Sequence, residues 1–462
     1  MEKYENETIA AIATALSDSG IGIVRISGEN AIYIIDNIFR SAAGRRILTK
    51  VQSHTIHYGY IVDSDENVID EVMVAVMKAP RSYTTEDTVE INCHGGVLVM
   101  KKVLEAVLHA GARLAQPGEF TKRAFLNGRI DLSRAEAVID VIHSQNEYAL
   151  SSSVSQLKGQ LSNKIHTLRE DILYQIAFIE SALDDPEHIS LDGYPQELLE
   201  VVDNEQKEVK RLLKTSSDGK MIQEGIQTVI LGKPNAGKSS LLNLLIGENR
   251  AIVTDIAGTT RDILEEYITL HGISLKIIDT AGIRETKDIV EKIGVDRARE
   301  MAQKADLILY VVDSSVPLDE NDEEIMEMLT GKKAIILYNK TDLQPEIQPE
   351  ILKEKTGHPV IPISAKEEKG ITELEEQIKD MFFGGEISFN DEVYITNARH
   401  KAALEEADRS LDLVRNSIER GMPEDFFSID LMNAYENLGK ILGESVGEDL
   451  VNEIFSKFCM GK

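Results

Sequence analysis

Residues 232–239 form the most distinctive chemical motif of this 462-residue chain. They read Gly-Lys-Pro-Asn-Ala-Gly-Lys-Ser and match the phosphate-binding pattern G-x-x-x-x-G-K-[ST]. In such a loop the backbone amides surround the phosphates, Lys238 reaches the β- and γ-oxygens, and the Ser239 hydroxyl holds Mg²⁺. A Gly-rich turn is the alternative, but the apolar runs on both sides favour a nucleotide site, with contacts from Asn235, Ala236, Gly237, Lys238, Ser239 and Ser240.

Two further motifs indicate that the nucleotide is GTP. Asn339-Lys340-Thr341-Asp342 ends an apolar run, and the Asp342 carboxylate can accept hydrogen bonds from guanine N1 and N2, a pair of donors that adenine lacks. Ser364-Ala365-Lys366 follows a later apolar run and is expected to complete the base pocket through backbone contacts. A surface turn would explain Asn339–Asp342 in isolation, but the order of the motifs favours a guanine site.

Two segments between these motifs are expected to contact the γ-phosphate. Asp279-Thr280-Ala281-Gly282 follows an apolar run, so Asp279 can reach the magnesium shell and the Gly282 amide the γ-phosphate. Residues 253–262 read Val-Thr-Asp-Ile-Ala-Gly-Thr-Thr-Arg-Asp, which favours a switch loop over an ordinary polar loop. We expect nucleotide contacts from Thr254, Thr259 and Thr260, with Ser239 and Thr260 on Mg²⁺ and Lys238 and Thr260 among the catalytic residues.

Ile283 excludes one familiar mechanism. It stands directly after Gly282, where Ras-like enzymes place the glutamine that orients the attacking water. An isoleucine side chain has no polar atom with which to orient water. Another group must do so, and the candidates downstream are Arg284, Glu285 and Glu291.

The elements that position these loops alternate between strands and helices. Apolar runs of the kind that is buried on both faces of a parallel sheet occur at 228–231, 275–279, 307–313, 334–338 and 360–363. The helix after the phosphate loop is expected from Leu241 to Ile246. This alternation predicts a doubly wound, Ras-like α/β domain.

Two amphipathic stripes flank this α/β region. Apolar residues recur every three or four positions from Val154 to Leu183, which predicts one long helix ending at Asp185-Pro186. A second stripe runs from Leu404 to Ile418, after Gly384-Gly385. We expect the two stripes to pack together as one helical domain into which the α/β domain is inserted, because unpaired amphipathic faces are unstable. Two independent bundles are the alternative.

The amino-terminal part predicts a small α+β domain. Short β-rich runs at 21–26 and 72–77 are broken by Gly, Asp and Asn, and Gly95 to His109 is expected to be helical. The predicted domains are 1–119 (amino-terminal), 120–224 (first helical part), 225–383 (G domain) and 384–462 (second helical part).

The composition fits a folded, cytoplasmic protein. With 42% hydrophobic and 28% charged residues, and no long apolar run or basic leader, we expect neither a membrane span nor a signal peptide. Two cysteines, Cys93 and Cys459, cannot form a disulfide framework or a four-ligand zinc site. The formal net charge of −29 argues against a broadly basic nucleic-acid surface, although a local basic face remains open.

Three further segments carry a family resemblance. The switch loop Ala-Gly-Thr-Thr-Arg-Asp (257–262), the segment Pro-Gly-Glu-Phe-Thr-Lys-Arg-Ala-Phe-Leu-Asn (117–127) and the terminal Phe-Cys-Met-Gly-Lys (458–462) closely resemble those of the MnmE (TrmE) tRNA-modification GTPases. The resemblance spans essentially the whole chain. It implies a homodimer with a folate-binding amino-terminal domain, a helical domain and an inserted G domain.

The resemblance also implies a potassium-dependent mechanism. In the family, the G domains of two subunits associate across the nucleotide, and K⁺ takes the place of an arginine finger. The matching positions here are Asn235, Thr254, Ile256 and Thr259. Glu291 matches the family's water-positioning glutamate; the residue alone would be read as a solvated helix residue.

The implied chemistry is the addition of a carboxymethylaminomethyl or aminomethyl group to the wobble uridine of certain tRNAs. The implied partner is the flavoprotein MnmG (GidA), which carries FAD, in a heterotetramer or larger complex, and the one-carbon donor is a tetrahydrofolate derivative. The matching folate positions are Arg25, Glu90, Arg129 and Lys462. Cys459 could act as a nucleophile or one-carbon carrier, or could be a small packed residue, whereas Cys93 is expected to be a buried strand thiol.

The sequence departs from the family at three places. Residues 15–20 read Ala-Leu-Ser-Asp-Ser-Gly where the family is rich in Pro and Gly, Arg129 replaces a common lysine, and Asp185 stands in a motif usually read as Asp-Phe-Pro. Two other functions are alternatives. A ribosome-assembly GTPase should carry a basic RNA-binding appendage, and the carboxyl-terminal region is an acidic helical pair instead. A stand-alone folate enzyme with a regulatory G domain would need no flavoprotein.

Overall fold

The computed structural model describes residues 7–248, 266–270, 272–278, 291–383 and 393–461. The chain forms two compact units. Unit 1 comprises Met1–Ile139, Leu157–Glu170 and Leu438–Lys462, and unit 2 comprises Asp140–Gln156 and Asp171–Asn437. Among the described residues, no helix combines the length and the apolar character needed to cross a membrane.

Unit 1 contains a seven-stranded sheet of order β3-β4-β5-β6-β2-β1-β7, in which neighbouring strands are antiparallel except β1 and β7. The strands are β1 (Ile9–Ile12), β2 (Ser19–Ser27), β3 (Phe39–Ser41), β4 (Thr55–Val62), β5 (Val68–Met77), β6 (Thr88–Gly95) and β7 (Arg113–Leu114). Alternating apolar residues such as Val24, Val74 and Ile91 are buried in one core with residues of α1 (Ala31–Ile38) and α2 (Val97–His109). A 3₁₀ turn lies at Leu48–Lys50.

Further helices complete unit 1. They are α3 (Glu119–Leu126), α4 (Leu132–His143), which runs past the unit boundary, and the carboxyl-terminal α15 (Glu448–Ser456). Leu132 and Val138 of α4 are buried with Val451, Phe455 and Phe458. The carboxyl terminus therefore packs with elements that are far away in sequence.

Unit 2 contains a six-stranded sheet of order β13-β12-β11-β8-β10-β9. Its strands are β8 (Ile226–Leu231), β9 (Glu266–Leu270), β10 (Ile273–Ile277), β11 (Leu307–Asp313), β12 (Ala334–Asn339) and β13 (Val360–Pro362). All are parallel except β9, which the sequence did not predict and which pairs antiparallel with β10. The accompanying helices are α8 (Lys238–Glu248), α9 (Glu291–Lys304), α10 (Glu320–Met328), α11 (Pro349–Thr356) and α12 (Ile371–Phe383).

Strand β11 shows why the apolar runs form a central parallel sheet. Leu307, Leu309 and Val311 belong to one hydrophobic core, whereas Ile308 and Tyr310 belong to another. Because successive side chains of a strand point to opposite faces, both faces must be covered. The predicted doubly wound sheet is thus present, with one antiparallel edge strand.

The prediction of a single helix from Val154 to Leu183 is wrong. Two helices occupy this range, α5 (Glu147–Leu157) and α6 (Gln160–Asp184). Gly159 between them has φ of +91°, a left-handed conformation that ends a helix. Helix α6 does end before Asp185-Pro186, as expected.

Three more helices contribute to unit 2: α7 (Tyr194–Glu224), α13 (Ala398–Glu419) and α14 (Asp425–Leu442), which runs on past the unit boundary. The second predicted stripe lies on α13, where Leu404, Leu411 and Val414 are fully buried. Helix α13 packs against α7, with Gln206 Nε2 donating to Asp412 Oδ1 at 2.6 Å.

The segment that begins at Val393, after the second sheet, runs along α7. Thr215 Oγ1 donates to the Val393 carbonyl at 3.1 Å and accepts from the Ile395 amide at 3.2 Å. A Cβ at Gly219 would lie 2.4 Å from the Ile395 carbonyl oxygen, so the glycine permits this close approach. The end of α7, just before β8, is therefore held against the segment that follows the second sheet.

Candidate functional site

The phosphate loop joins the end of β8 to the start of α8. Gly232 has φ of +150°, and a Cβ there would lie 2.4 Å from the Val311 carbonyl oxygen of β11. Gly237 has φ of +105°, and its Cβ would lie 2.1 Å from Asn339 Nδ2. Both glycines are thus required by conformation and by contact with neighbouring strands.

Lys238 is folded back onto its own loop. Its Nζ donates to the Gly232 carbonyl at 2.6 Å and to the Lys233 carbonyl at 2.7 Å, and burial lowers the pKa of the amine. Phosphate oxygens are charged acceptors and bind an ammonium more strongly than carbonyls do. Lys238 is therefore placed to exchange these loop contacts for phosphate contacts.

The predicted magnesium and potassium positions within the loop suit those ions chemically. Ser239 and Ser240 are exposed in the first turn of α8, where backbone amides lack helical partners. The Ser239 hydroxyl is an oxygen donor of the type that Mg²⁺ takes. Asn235 is exposed on the same loop and has φ of +62°. Its side-chain amide carries a carbonyl oxygen, which is the type of ligand that a potassium ion takes.

Asn339 connects three of the predicted motifs. Its Nδ2 donates to the Ala236 carbonyl of the phosphate loop at 2.8 Å, and its Oδ1 accepts from the Ala365 amide at 3.1 Å. The side chain is 2% exposed, so these bonds are shielded from water. Ser364 Oγ donates to Asp342 Oδ1 at 2.8 Å, which fixes the carboxylate expected to bind guanine. Lys366 is exposed beside this group.

Asp313 is a site residue that sequence reasoning missed. It ends β11, and its carboxylate lies 2.5 Å from Lys340 Nζ and accepts from Ser315 N and Oγ at 3.0 and 2.7 Å. Burial raises the pKa of Asp313, but the bonds from Lys340 and Ser315 outweigh it, so the pKa is lowered. The carboxylate is ionised and holds the lysine of the guanine motif, whose φ of +65° is left-handed.

Several predicted residues lie outside the described part of the chain. They are Thr254, Ile256, Thr259 and Thr260 of the switch loop, Asp279, Thr280, Ala281 and Gly282, and Lys462. Ile283, Arg284 and Glu285 lie outside it as well, and Glu291 is described only as the first residue of α9. The roles assigned to these residues stay predictions.

A second polar site lies in unit 1, where β2 and β6 pair Arg25 with Glu90. Arg25 Nε donates to Glu90 Oε1 at 2.8 Å, and its Nη1 donates to the Gly461 carbonyl at 3.0 Å. The guanidinium lies 5.8 Å from the ring centre of Phe120. Arg25 therefore joins another predicted folate residue, Glu90, to the carboxyl-terminal segment.

Arg129 is held nearby through Tyr83. Its guanidinium lies 4.9 Å from the Tyr83 ring centre and donates to the Tyr83 carbonyl at 3.1 Å. The Tyr83 hydroxyl is 2.9 Å from Thr121 Oγ1. Burial raises the pKa of Tyr83, while the hydrogen bond with Thr121 and the charges of Arg129 and Arg25 oppose this effect. Sequence reasoning missed Tyr83, and it included Phe120 only as part of the segment 117–127, without assigning it to this site.

The carboxyl-terminal segment is docked by its backbone. The Gly118 amide donates to the Cys459 carbonyl at 3.2 Å, and a Cβ on Gly461 would lie 2.5 Å from Ala13 Cα. The Cys459 side chain is exposed, so it is not a packed residue. Cys93 is a buried strand thiol, as expected.

Comparison with known proteins covers nearly the whole chain. The family model described as GTP-binding protein TrmE N-terminus matches residues 8–129, and the one described as MnmE helical domain matches residues 132–459. The protein named tRNA modification GTPase MnmE from Lachnoclostridium phytofermentans is 61% identical over 99% of this chain and 100% of its own length. Those of Geobacillus kaustophilus and Bacillus subtilis are 50% and 48% identical, with the same coverage.

Among solved structures, the G domain of the T. maritima FeoB iron transporter matches with 27% identity over 34% of this chain and 97% of that chain. Its TM-score is 0.27. The full-length identities and the two family models together establish the family of the chain. The chain belongs to the MnmE family of tRNA modification GTPases.

Proposed function

We propose that the chain hydrolyses GTP at the loops 232–239, 339–342 and 364–366, and that this hydrolysis drives modification of the tRNA wobble uridine. The observation that carries the proposal is the two hydrogen bonds, one buried and one partly buried, by which Asn339 joins the phosphate loop to Ala365. Ser239 and Thr260 would hold Mg²⁺, and Lys238 would contact the β- and γ-phosphates.

Potassium and a second subunit complete the proposed G-domain cycle. K⁺ would bind Asn235 together with Thr254, Ile256 and Thr259, where it can stabilise negative charge that develops between the β- and γ-phosphates. Glu291 would position the attacking water, since Ile283 cannot. Association of the G domains of a homodimer would bring these groups together.

In unit 1 we propose a tetrahydrofolate site at Arg25, Glu90, Arg129 and Lys462. Cations suit the glutamate tail of a folate, and a carboxylate suits its pterin. The exposed Cys459 and the contact of Arg25 with Gly461 support a role for the carboxyl-terminal segment at this site. The flavoprotein MnmG, with its FAD, would be the partner in the cytoplasm.

Replacing Asp342 with Asn tests the guanine site. Two hydrogen bonds to a charged acceptor contribute about 3–6 kcal/mol, so we expect GTP affinity to fall about 10²- to 10⁴-fold. Xanthosine triphosphate should bind the variant better than GTP, because the asparagine amide can donate to xanthine O2. Titration of both nucleotides is the measurement. Asp380→Asn, an exposed residue of α12, is the matched control, and an unchanged GTP preference in Asp342→Asn would place the guanine site elsewhere.

Measuring GTP turnover in K⁺ and in Na⁺ over a range of protein concentrations tests cation and dimer together. We expect turnover per subunit to rise with concentration in K⁺ and to be much lower in Na⁺. The Asn235→Ala variant should lose most of the difference between the two salts. Equal rates in both salts would count against Asn235 as a ligand. Assaying uridine modification with and without the flavoprotein then separates this function from a stand-alone folate enzyme.

A further inference from the structure

Lys233, the second residue of the phosphate loop, makes an ion pair that the proposed chemistry does not use. Its Nζ lies 3.0 Å from Asp319 Oδ2 and 2.5 Å from Asp322 Oδ2. Asp319 caps the amino terminus of α10, and Asp322 lies in the first turn of that helix. A side chain of the phosphate loop is thus tied to a neighbouring helix.

Asp322 is a rigid, buried anchor. It is 1% exposed, its Oδ1 accepts from the Tyr310 hydroxyl at 2.7 Å, and its Oδ2 accepts from the Asp319 amide at 3.0 Å. Tyr310 is itself fully buried on β11. A buried carboxylate is costly unless a cation and hydrogen bonds compensate it, and Lys233 is the cation in contact with it. Burial lowers the pKa of Lys233, but the bonds to Asp322 and Asp319 outweigh it, so the amine stays charged.

The backbone of Lys233 supports the rest of the loop. Its carbonyl oxygen accepts from Lys238 Nζ at 2.7 Å and from the Ala236 amide at 3.3 Å. Gly232 on its other side is pressed against the Val311 carbonyl of β11. A shift of Lys233 would therefore displace its carbonyl oxygen, and with it both the Lys238 amine and the Ala236 amide that donate to this oxygen.

We propose that Lys233 is a positioning residue for nucleotide binding. Its ion pair with Asp322 fixes the first half of the phosphate loop against β11 and α10, and so sets where the Lys238 amine and the loop amides meet the phosphates. The inference rests on the proposed function in one respect, that this loop binds the phosphates of GTP. The competing explanation is that Lys233 only neutralises a buried charge.

A double mutant separates the two explanations. Lys233→Met should lower both the Tm and the nucleotide affinity, because Asp322 keeps a buried, uncompensated charge. Adding Asp322→Asn removes that charge and keeps an amide oxygen for the Tyr310 hydroxyl, but the Asp319 amide loses its acceptor, so the Tm should recover in large part. The loop is still untethered in Lys233→Met/Asp322→Asn, and we expect kcat/KM for GTP to stay about 10–100-fold below wild type.

The measurements are thermal unfolding, titration with GDP and GTP, and separate kcat and KM values for GTP hydrolysis. Lys233→Arg keeps the ion pair and should retain most of the affinity. Lys355→Met is the control, since it removes an exposed pair with Glu323 of the same helix, 3.2 Å apart, and should change none of these values.

Two outcomes would overturn the proposal. Lys233→Met could bind and hydrolyse GTP as wild type does, or the double mutant could recover affinity and kcat/KM along with its Tm. A wild-type chain that binds no GTP would instead contradict the proposed function, which the same titration shows directly.

Discussion

The two cysteines occupy opposite environments. Cys93 is 3% exposed on β6, and its Sγ donates to the Gly22 carbonyl at 3.4 Å. Burial, with a smaller contribution from the charge of Asp70, raises the pKa of the Cys93 thiol to about 11. Cys459 is exposed in the docked carboxyl-terminal segment. The thiolate is the reactive form of cysteine, and a buried thiol with a raised pKa forms little of it. Cys459 is therefore the thiol that a reagent in solution can reach.

We predict that a thiol reagent such as DTNB labels one cysteine of the native chain rapidly at pH 8. At that pH a thiol of pKa about 11 is ionised in about one molecule in a thousand, and Cys93 is also shielded by burial. Cys459→Ser should abolish the fast reaction, and Cys93→Ser should leave it unchanged. The second thiol should react only after unfolding, or as the pH approaches 11. Two fast thiols in the native chain would contradict this placement of Cys93.

At the residue scale, the sequence predicted the residues of the phosphate and guanine motifs better than the residues that hold those motifs in place. The phosphate and guanine motifs are recognisable because ligand chemistry demands fixed spacings. Asp313 and Asp322 are paired with motif lysines through tertiary contacts, and no local spacing distinguishes them among 79 acidic residues. The structure was needed to find them.

At the element scale, α3 is tied to β7 by a group of ion pairs around Glu119. Its carboxylate accepts from Arg113 at 2.7 and 3.0 Å, from Arg123 at 3.0 Å and from the Gln116 amide at 2.8 Å. Burial raises the pKa of Glu119, but these bonds outweigh it, so the pKa is lowered from 4.5. The carboxylate also lies in the first turn of α3, where the helix dipole favours a negative charge.

Replacing Glu119 with Gln should destabilise unit 1 by about 3 kcal/mol at neutral pH, because two arginines lose a largely buried partner. A lowered pKa in the folded state gives stability that is present above the unfolded value, near 4.5, and is lost as the pH falls through the folded value. The difference between wild type and variant should therefore shrink below pH 4.5. Denaturant unfolding at several pH values measures it, with exposed Glu105→Gln as control. A difference that is constant with pH would rule out ionised Glu119 as its source.

The strands of the second sheet were easier to predict than the helices. Apolar runs identified five of its strands because both faces are buried, whereas β9 lies at the edge and has a weaker pattern. The 31-residue helix α7 was not predicted, although Leu198, Val202, Val209 and Leu212 are buried along it. Glycine has a low helix propensity, so Gly219 in the sequence does not favour a helix. The close approach of the Ile395 backbone explains why a glycine stands at this position.

At the scale of the whole molecule, the net charge of −29 bears on how tRNA is bound. Phosphate binding depends on clustered cations, and a strongly negative protein repels a polyanion at long range. We therefore expect a limited basic face of the chain, or the proposed flavoprotein partner, to supply much of the tRNA contact.

We predict that the chain alone binds tRNA only weakly at physiological salt, with a Kd above about 1 µM, in the range of non-specific binding. Affinity should rise when the flavoprotein is added. Fluorescence anisotropy with labelled tRNA over a series of salt concentrations is the measurement. Nanomolar binding by the isolated chain would show that a strong basic surface exists despite the overall charge.

The contacts of Thr215 and Gly219 with Val393 and Ile395 hold the returning chain beside the end of α7, where β8 is about to begin. A polypeptide segment that leaves and comes back at one place can be exchanged through a single pair of junctions. Chimaeras that replace residues 226–392 with the same segment of a relative should therefore keep the α7–α13 pair intact. In evolutionary terms, this segment can vary at its own pace only where it keeps its other contacts with unit 2, such as the hydrogen bond from Asn146 Nδ2 to Ser274 Oγ at 2.9 Å.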